Sequence, residues 1–359
     1  MGSLTYEEFI SILSKVRHAF ISIPAGRGLL SPCNAVLRKQ PPVVYLHNNQ
    51  HLLQAIKDIR TLLRESTTRP TKCTELVSDW PDFVGIKDAS GHGVGGIIVG
   101  ENKACPPTVF RFQWPEDITA DINTADNPTG QITNSDLELA GLLMLWLVME
   151  EVCKPEPACH VALFSDNQPT VHWVERFASK SSEVAGQLLR ALALRLKLSQ
   201  ASPLTPMHIR GIENAITDIP SRSFGSIPKY YCATDTDLKT LFDTKFPLPE
   251  QNSWNVFRVS LKTSTLVTSV LRMITTDTDA WRRLPKAGSH IGATGPAMSG
   301  LWEWTLGFRK PDTSTGSDVS QDSAHEFDPD TTVEVNKCKL RQSLARSRPL
   351  DRRSRWPGA

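Results

Sequence analysis

Apolar residues recur at helical spacing over 5–20 (TYEEFISILSKVRHAF) and again over 50–65 (QHLLQAIKDIRTLLRE), with a stretch containing Gly and Pro between them. Such spacing lines one helix face with apolar side chains, so the two segments predict a small helical unit over 1–79. From about residue 82 the period shortens. The runs FVGIKD, VGGIIVG, VFRFQW, HVALFSD and MHIRG each predict a strand, being rich in β-branched and aromatic residues. Helical patterning returns from about Asn134 to Val152, over roughly 168–178 and 182–200, and in GIENAITDIPSR. Strands interleaved with helices that return to one sheet predict an α/β domain over 80–225. Its mixed five-stranded sheet would be flanked by helices.

The remainder is poorer in pattern. Segment 226–310 predicts a helical extension with one helix near 260–274, and Trp254, Trp281, Trp302 and Trp304 as core or docking surface. Residues 311–359 are first Asp/Ser/Thr-rich and then basic (KCKLRQSLARSRPLDRRSR). That composition buries too little apolar surface to fold alone, so a disordered tail is expected, with nucleic-acid contact as the alternative to plain solvation.

Bulk properties narrow the function less than the pattern does. At 359 residues the chain can bury a sizeable core and suggests two or three domains. Its 40 Lys plus Arg barely exceed 38 Asp plus Glu, so net charge argues neither for nor against a polyanionic partner. The seven cysteines form no C-x-x-C pair, which suits free thiols in a reducing compartment. Cys153, Cys159 and His160 cluster without zinc-finger spacing and read as buried structural thiols. The N-terminal segment has acids where a signal peptide needs bases, and Tyr6 where myristoylation wants Ser or Thr. The most apolar run, AGLLMLWLVM, is shorter than the roughly 20 residues a bilayer span needs. An intracellular protein is expected, in cytoplasm or nucleus, with no membrane partner.

The stretch VGIKDASGHGVGG (84–96) carries two competing signals. Gly91, Gly93 and Gly96 satisfy the G-x-G-x-x-G spacing of a dinucleotide-binding turn, which requires a helix immediately afterwards. Instead the chain continues with Ile97, Ile98 and Val99, a strand-forming run, then Pro106 and Pro107, with no acid near Arg111 to hold a ribose. The glycines therefore do not predict a nucleotide site, and Asp88 becomes the residue of interest.

Four acids occupy comparable places: Asp88 ending the first strand, Glu138 in the first turn of the long helix, Asp166 ending the fourth strand, and Asp218 in the first turn of the last helix. Each has a local explanation. Glu138 can complete a capping box with Ser135, Asp218 can answer a helix dipole, and Asp166 and Asp88 can serve turns. Their joint placement is different. Strand ends and helix starts meet at one edge of an open α/β sheet. Carboxylates gathered there repel one another unless a cation fills the gap. Hard oxygen ligands without cysteine or a histidine pair point to Mg²⁺ or Mn²⁺.

KDASGHGVGGIIV, NSDLELAGLL, ALFSDNQPTVHWV and HIRGIENAITDIPSR, in that order, resemble the ribonuclease H domain of retrotransposon reverse transcriptases over about 140 residues. The resemblance implies a ribonuclease H-like fold, with Asp88, Glu138, Asp166 and Asp218 as catalytic metal ligands. His208, ten residues before Asp218, would be the family's mobile histidine, with a structural histidine as the alternative. It implies two divalent ions, Mg²⁺ or Mn²⁺, about 3.5–4 Å apart. The implied substrate is the RNA strand of an RNA–DNA hybrid, read by shape and 2′-hydroxyls. Arg190, Arg195, Lys197 and Arg210 would meet phosphates if they are not simply solvated. Residues 5–40 also look like the segment after the polymerase palm of these elements. The chain contains no Y-x-D-D, so the polymerase centre would lie in a missing portion of a polyprotein, unless this is a truncated copy.

Some features depart from the family. Lys87 precedes Asp88 where an apolar or neutral residue is expected, so its charge must point away or pair with an acid. The 115–132 connection is long, and no integrase zinc pattern comes after the domain. A proofreading-type exonuclease would need D-x-E at Asp88, and a penicillin-binding enzyme would need S-x-x-K before its SDN and a K-T-G; these are absent. The remaining rival is a catalytically inactive scaffold that binds nucleic acid or a partner chain.

Overall fold

The computed structural model describes residues 3–23, 25–71, 81–100, 105–155, 159–179, 181–199, 204–225, 227–248 and 252–282. The expected tail over 311–359 and Trp302 and Trp304 lie outside the described residues.

The N-terminal segment holds β1 (Ser3–Thr5), α1 (Tyr6–Ala19), α2 (Ser31–Lys39), β2 (Val43–Tyr45) and α3 (Gln50–Thr68). Thr5 and Glu8 form a reciprocal capping box at the start of α1, which buries Phe9 and Leu13. A 3₁₀ turn over Gly26–Leu30 leads into α2. There a Cβ on Gly28 would lie 2.8 Å from the Leu189 carbonyl oxygen, so the residue must be glycine for this turn to seat against the helix carrying Leu189.

The α/β part comprises β3 (Phe83–Ala89), β4 (Gly93–Gly100), β5 (Thr108–Gln113), α4 (Glu116–Ala120), α5 (Asn134–Val152), β6 (Val161–Ser165), α6 (Gln168–Arg176), α7 (Glu183–Ser199), β7 (Leu204–His208) and α8 (Ala215–Arg222). It continues through α9 (Asp235–Lys245), β8 (Asn255–Arg258), α10 (Leu261–Leu271) and α11 (Thr278–Arg282). The sheet is mixed, in the order β7-β6-β3-β4-β5-β8. Strands β3, β4 and β5 form an antiparallel meander; β6 runs parallel to β3, β7 to β6, and β8 to β5. Central strands covered on both sides are buried throughout, as β3 and β4 are.

Helix α5 is apolar all round, buried from Asp136 through Met149, and packs on β3 and β4 with α7 and α10 outside it. The pleat puts Lys87, Ala89 and Val94 toward Gly141 of α5. It puts Asp88 and Gly95 toward α8, where a Cβ on Gly95 would come within 2.4 Å of the Ser221 nitrogen. The glycine-rich run thus serves close helix–sheet packing, not a phosphate. One apolar cluster joins Leu13, Leu29, Leu52 and Leu62 of the N-terminal segment to Leu142, Leu189 and Leu271.

Several expectations need correction. The sheet has six strands rather than five, because β8 comes from the segment expected to be helical only and adds beside β5. Trp254, just before β8, and Trp281 are core residues, the first of the two roles expected of them. The strand expected as MHIRG begins at Leu204 and ends at His208. The 115–132 connection is ordered by α4, by an Ile122–Ile132 bridge, and by the Asn127 side chain on the Ala120 and Ile122 carbonyls. Cys105 and Cys153 are disulfide-bonded, against the expectation of free thiols throughout, whereas Cys33 and Cys232 are free and buried. No described helix is long and apolar enough to cross a membrane.

Candidate metal centre

Parallel neighbours β3 and β6 end at the same edge of the sheet, and the first turns of α5 face that edge. Asp88 near the end of β3, Glu138 on α5 and Asp166 just after β6 each bring one carboxylate oxygen within 4.8 Å of the others. They line an open cleft of about 400 Å³ together with Ala89, Ser90, Asn134, Asn167 and Arg222.

Local duties are performed by neighbouring residues instead. Helix α5 is capped by Thr133, whose hydroxyl accepts from the Asp136 nitrogen at 3.2 Å while Asp136 accepts from the Thr133 nitrogen at 2.9 Å. The expected Ser135–Glu138 capping box does not form; the helix begins two residues earlier than that box requires. Ser135 instead accepts from the Asn167 side chain at 3.3 Å. Asn167 caps α6 by accepting from the Thr170 nitrogen at 2.9 Å, which leaves Asp166 outside the cap. Ser90 organises the β3–β4 turn through the His92 and Gly93 nitrogens. Three acids thereby lose their local explanations.

Their electrostatics are unbalanced. Burial pushes Asp88 up to about 7, helped by the negative charges of Glu138 and Asp166; a 2.5 Å hydrogen bond from Ser221 and the Lys87 charge only partly oppose this. Glu138 is also raised by burial, against the pull of Lys87. Lys87 is fully buried and its ammonium bonds the Glu138 Oε2, so the departure noted in the sequence resolves as a pair with an acid. Asp218 stands apart from the triad. It pairs with Arg222 on its own helix at 2.8 Å, and it too is raised by burial, with Asp166 adding to the shift. His208 sits beside the cluster, where its Nε2 donates to the Asp166 backbone oxygen at 3.2 Å.

The expected phosphate contacts divide sharply. Arg190 is buried, bonding Asp58 and the Thr276 carbonyl. Arg195 bonds Glu150 and the Trp281 carbonyl, and Lys197 is buried near Thr71. These three point into the packing between α7 and its neighbours and do not form a phosphate-facing surface; of the four, only Arg210 is exposed, near Glu213. The cation that does line the cleft is Arg222, its Nε 3.9 Å from Asp88, and sequence reasoning missed it. Its signal was present: it lies four residues after Asp218, on the same helix face. Ser221 and Asn214, which hold the Asp88 carboxylate and the Lys87 carbonyl, carried no signal at all.

The donor set fits a hard divalent cation: three clustered carboxylates, two of them buried, no sulfur ligand, and an open side toward solvent. No protein-family model and no curated protein matches the chain.

Proposed function

We propose that this chain is a ribonuclease H-like nuclease from a retrotransposon reverse transcriptase polyprotein, cleaving the RNA strand of RNA–DNA hybrids with Mg²⁺ or Mn²⁺. One observation carries the reading: acids on β3, on α5 and just after β6 converge at a sheet edge where the local capping and turn duties are already filled by other residues. A mixed sheet with an antiparallel meander followed by parallel strands, the long α5 across it, and the four quoted motifs in order all support it.

In this reading Asp88, Glu138 and Asp166 would hold the metal, which would supply charge neutralisation for a phosphodiester hydrolysis. Ser221 keeps the Asp88 carboxylate oriented, and the tie from His208 keeps the Asp166 backbone in place. Arg222 and Arg210 offer positive charge to backbone phosphates. Asp218 holds Arg222 in position and would be the fourth acid if that pair opens.

The test is cleavage of an end-labelled hybrid with and without Mg²⁺. Asp166→Asn is expected to lower the rate a thousandfold or more, about 4 kcal/mol of transition-state stabilisation, with an unchanged circular dichroism spectrum. Near wild-type cleavage by this variant would discard the assignment. Absence of metal-dependent cleavage in the wild type would leave the inactive scaffold as the reading.

A further inference from the structure

Lys87 brings to the centre a charge that opposes a metal, and it cannot leave. Its Cα pairs with Gly96 in the middle of the sheet, its carbonyl accepts from Asn214 Nδ2 at 3.2 Å, and its stem lies against α5 at Gly141. The side chain is entirely buried, and its ammonium is bonded to Glu138 Oε2. An exposed lysine swings away when a cation arrives; this one has no solvent to swing into.

Charge then limits what the cluster can hold. Three carboxylates against one ammonium leave about two negative charges, and Asp218 cancels Arg222 alongside. One divalent cation balances that remainder. A second would sit within roughly 4 Å of the first and would share Glu138 with a fixed ammonium. We infer that Lys87 takes the place of one cation, so that the centre binds a single divalent ion on Asp88 and Asp166, with Glu138 contributing only the coordination its lysine leaves open. This rests on the metal-dependent function proposed for the site, and it departs from the two ions which the resemblance implies.

The experiment counts ions and needs no substrate. Equilibrium dialysis or calorimetry of the full chain with Mn²⁺ is expected to give one ion per wild-type chain. Lys87→Gln keeps a donor for Glu138 but removes the charge, and Lys87→Met removes both. Either is expected to gain a second ion or to bind the first at least tenfold more tightly. Two ions in the wild type would overturn the inference while sparing the metal-dependent reading. One ion with unchanged affinity in a folded neutral variant would overturn it too, since Lys87 would not then be the limiting charge. No Mn²⁺ uptake by any of the three would remove the metal centre itself. Should both variants fail to fold, the wild-type count alone decides between one ion and two.

Discussion

Two of the buried charge clusters among the described residues are built on opposite plans. At Asp58, fully buried on α3, every charge is matched: Arg190 bonds one carboxylate oxygen, while Gln54 at 3.0 Å and Thr278 at 2.6 Å bond the other. That network joins α3, α7 and α11, and all four of its side chains are buried. At Asp88, Glu138 and Asp166, acids outnumber the one buried base and a cleft opens beside them. Burial alone therefore says little about function. A buried ion that is paired and hydrogen-bonded on all sides is a structural joint, whereas a buried surplus of one sign, open on one side, is a site waiting for a counter-ion.

The sharpest way to break the contrast is to unbalance the closed cluster. Arg190→Ala leaves Asp58 buried without its partner and should cost about 3–5 kcal/mol, read from urea unfolding midpoints. Replacing both partners with apolar residues should recover most of that loss. If Arg190→Ala is nearly neutral, the Asp58 network is not a structural joint.

The open cluster should respond to pH. Asp88 is raised to about 7 in the folded protein, above any unfolded carboxylate, so the folded metal-free chain binds the extra proton. Its contribution is fully present below the unfolded value and is lost as pH rises through about 7. At about 1.36 kcal/mol per unit, the ceiling on that loss is near 4 kcal/mol. Asp88→Asn should flatten this slope and make the metal-free protein at least as stable as wild type at pH 8. An unchanged slope in that variant would place the titration elsewhere.

Metal should reverse the imbalance. In thermal melts, Mg²⁺ at a hundredfold excess over its dissociation constant should add about 2.7 kcal/mol to the wild type and nothing to Asp166→Asn. Equal gains in both proteins would mean that the ion binds somewhere else. The smallest effect separates cap from site: Thr133→Ala should cost about 0.5–2 kcal/mol, while Ser135→Ala should cost less. The opposite order would restore the capping role to Ser135 and Glu138.

Much of the fold was legible because its signals are local. The long apolar run over 134–152, the β-branched runs of β3, β4 and β5, and the alternation of strands with helices marked β3 to β7 and the helices α5, α6, α7, α8 and α10, but not α4, α9 or α11. Asp88, Glu138 and Asp166 could be singled out because a strand end and a helix start are themselves local features. The short β8 was missed because Asn255–Arg258 is half-exposed edge sequence with no alternation to read, and its place is set by pairing with β5 from 147 residues away.

Partnership is where reading along the chain stops. Arg190, Arg195 and Lys197 look like solvated cations on a helix, since nothing nearby in sequence announces Asp58, 132 residues away. Lys87 meets Glu138 across 51 residues, and Ser221 meets Asp88 across 133. With Thr133 as cap, Ser135 is left to accept from Asn167, 32 residues away, a contact that exists only once α5 and α6 are packed together. Side-chain periodicity and turn chemistry act over a few residues, so composition and order alone determined the elements and the edge where the acids would gather. Which charges are cancelled, and which are left for a ligand, depended on contacts that exist only once distant segments are packed out of water.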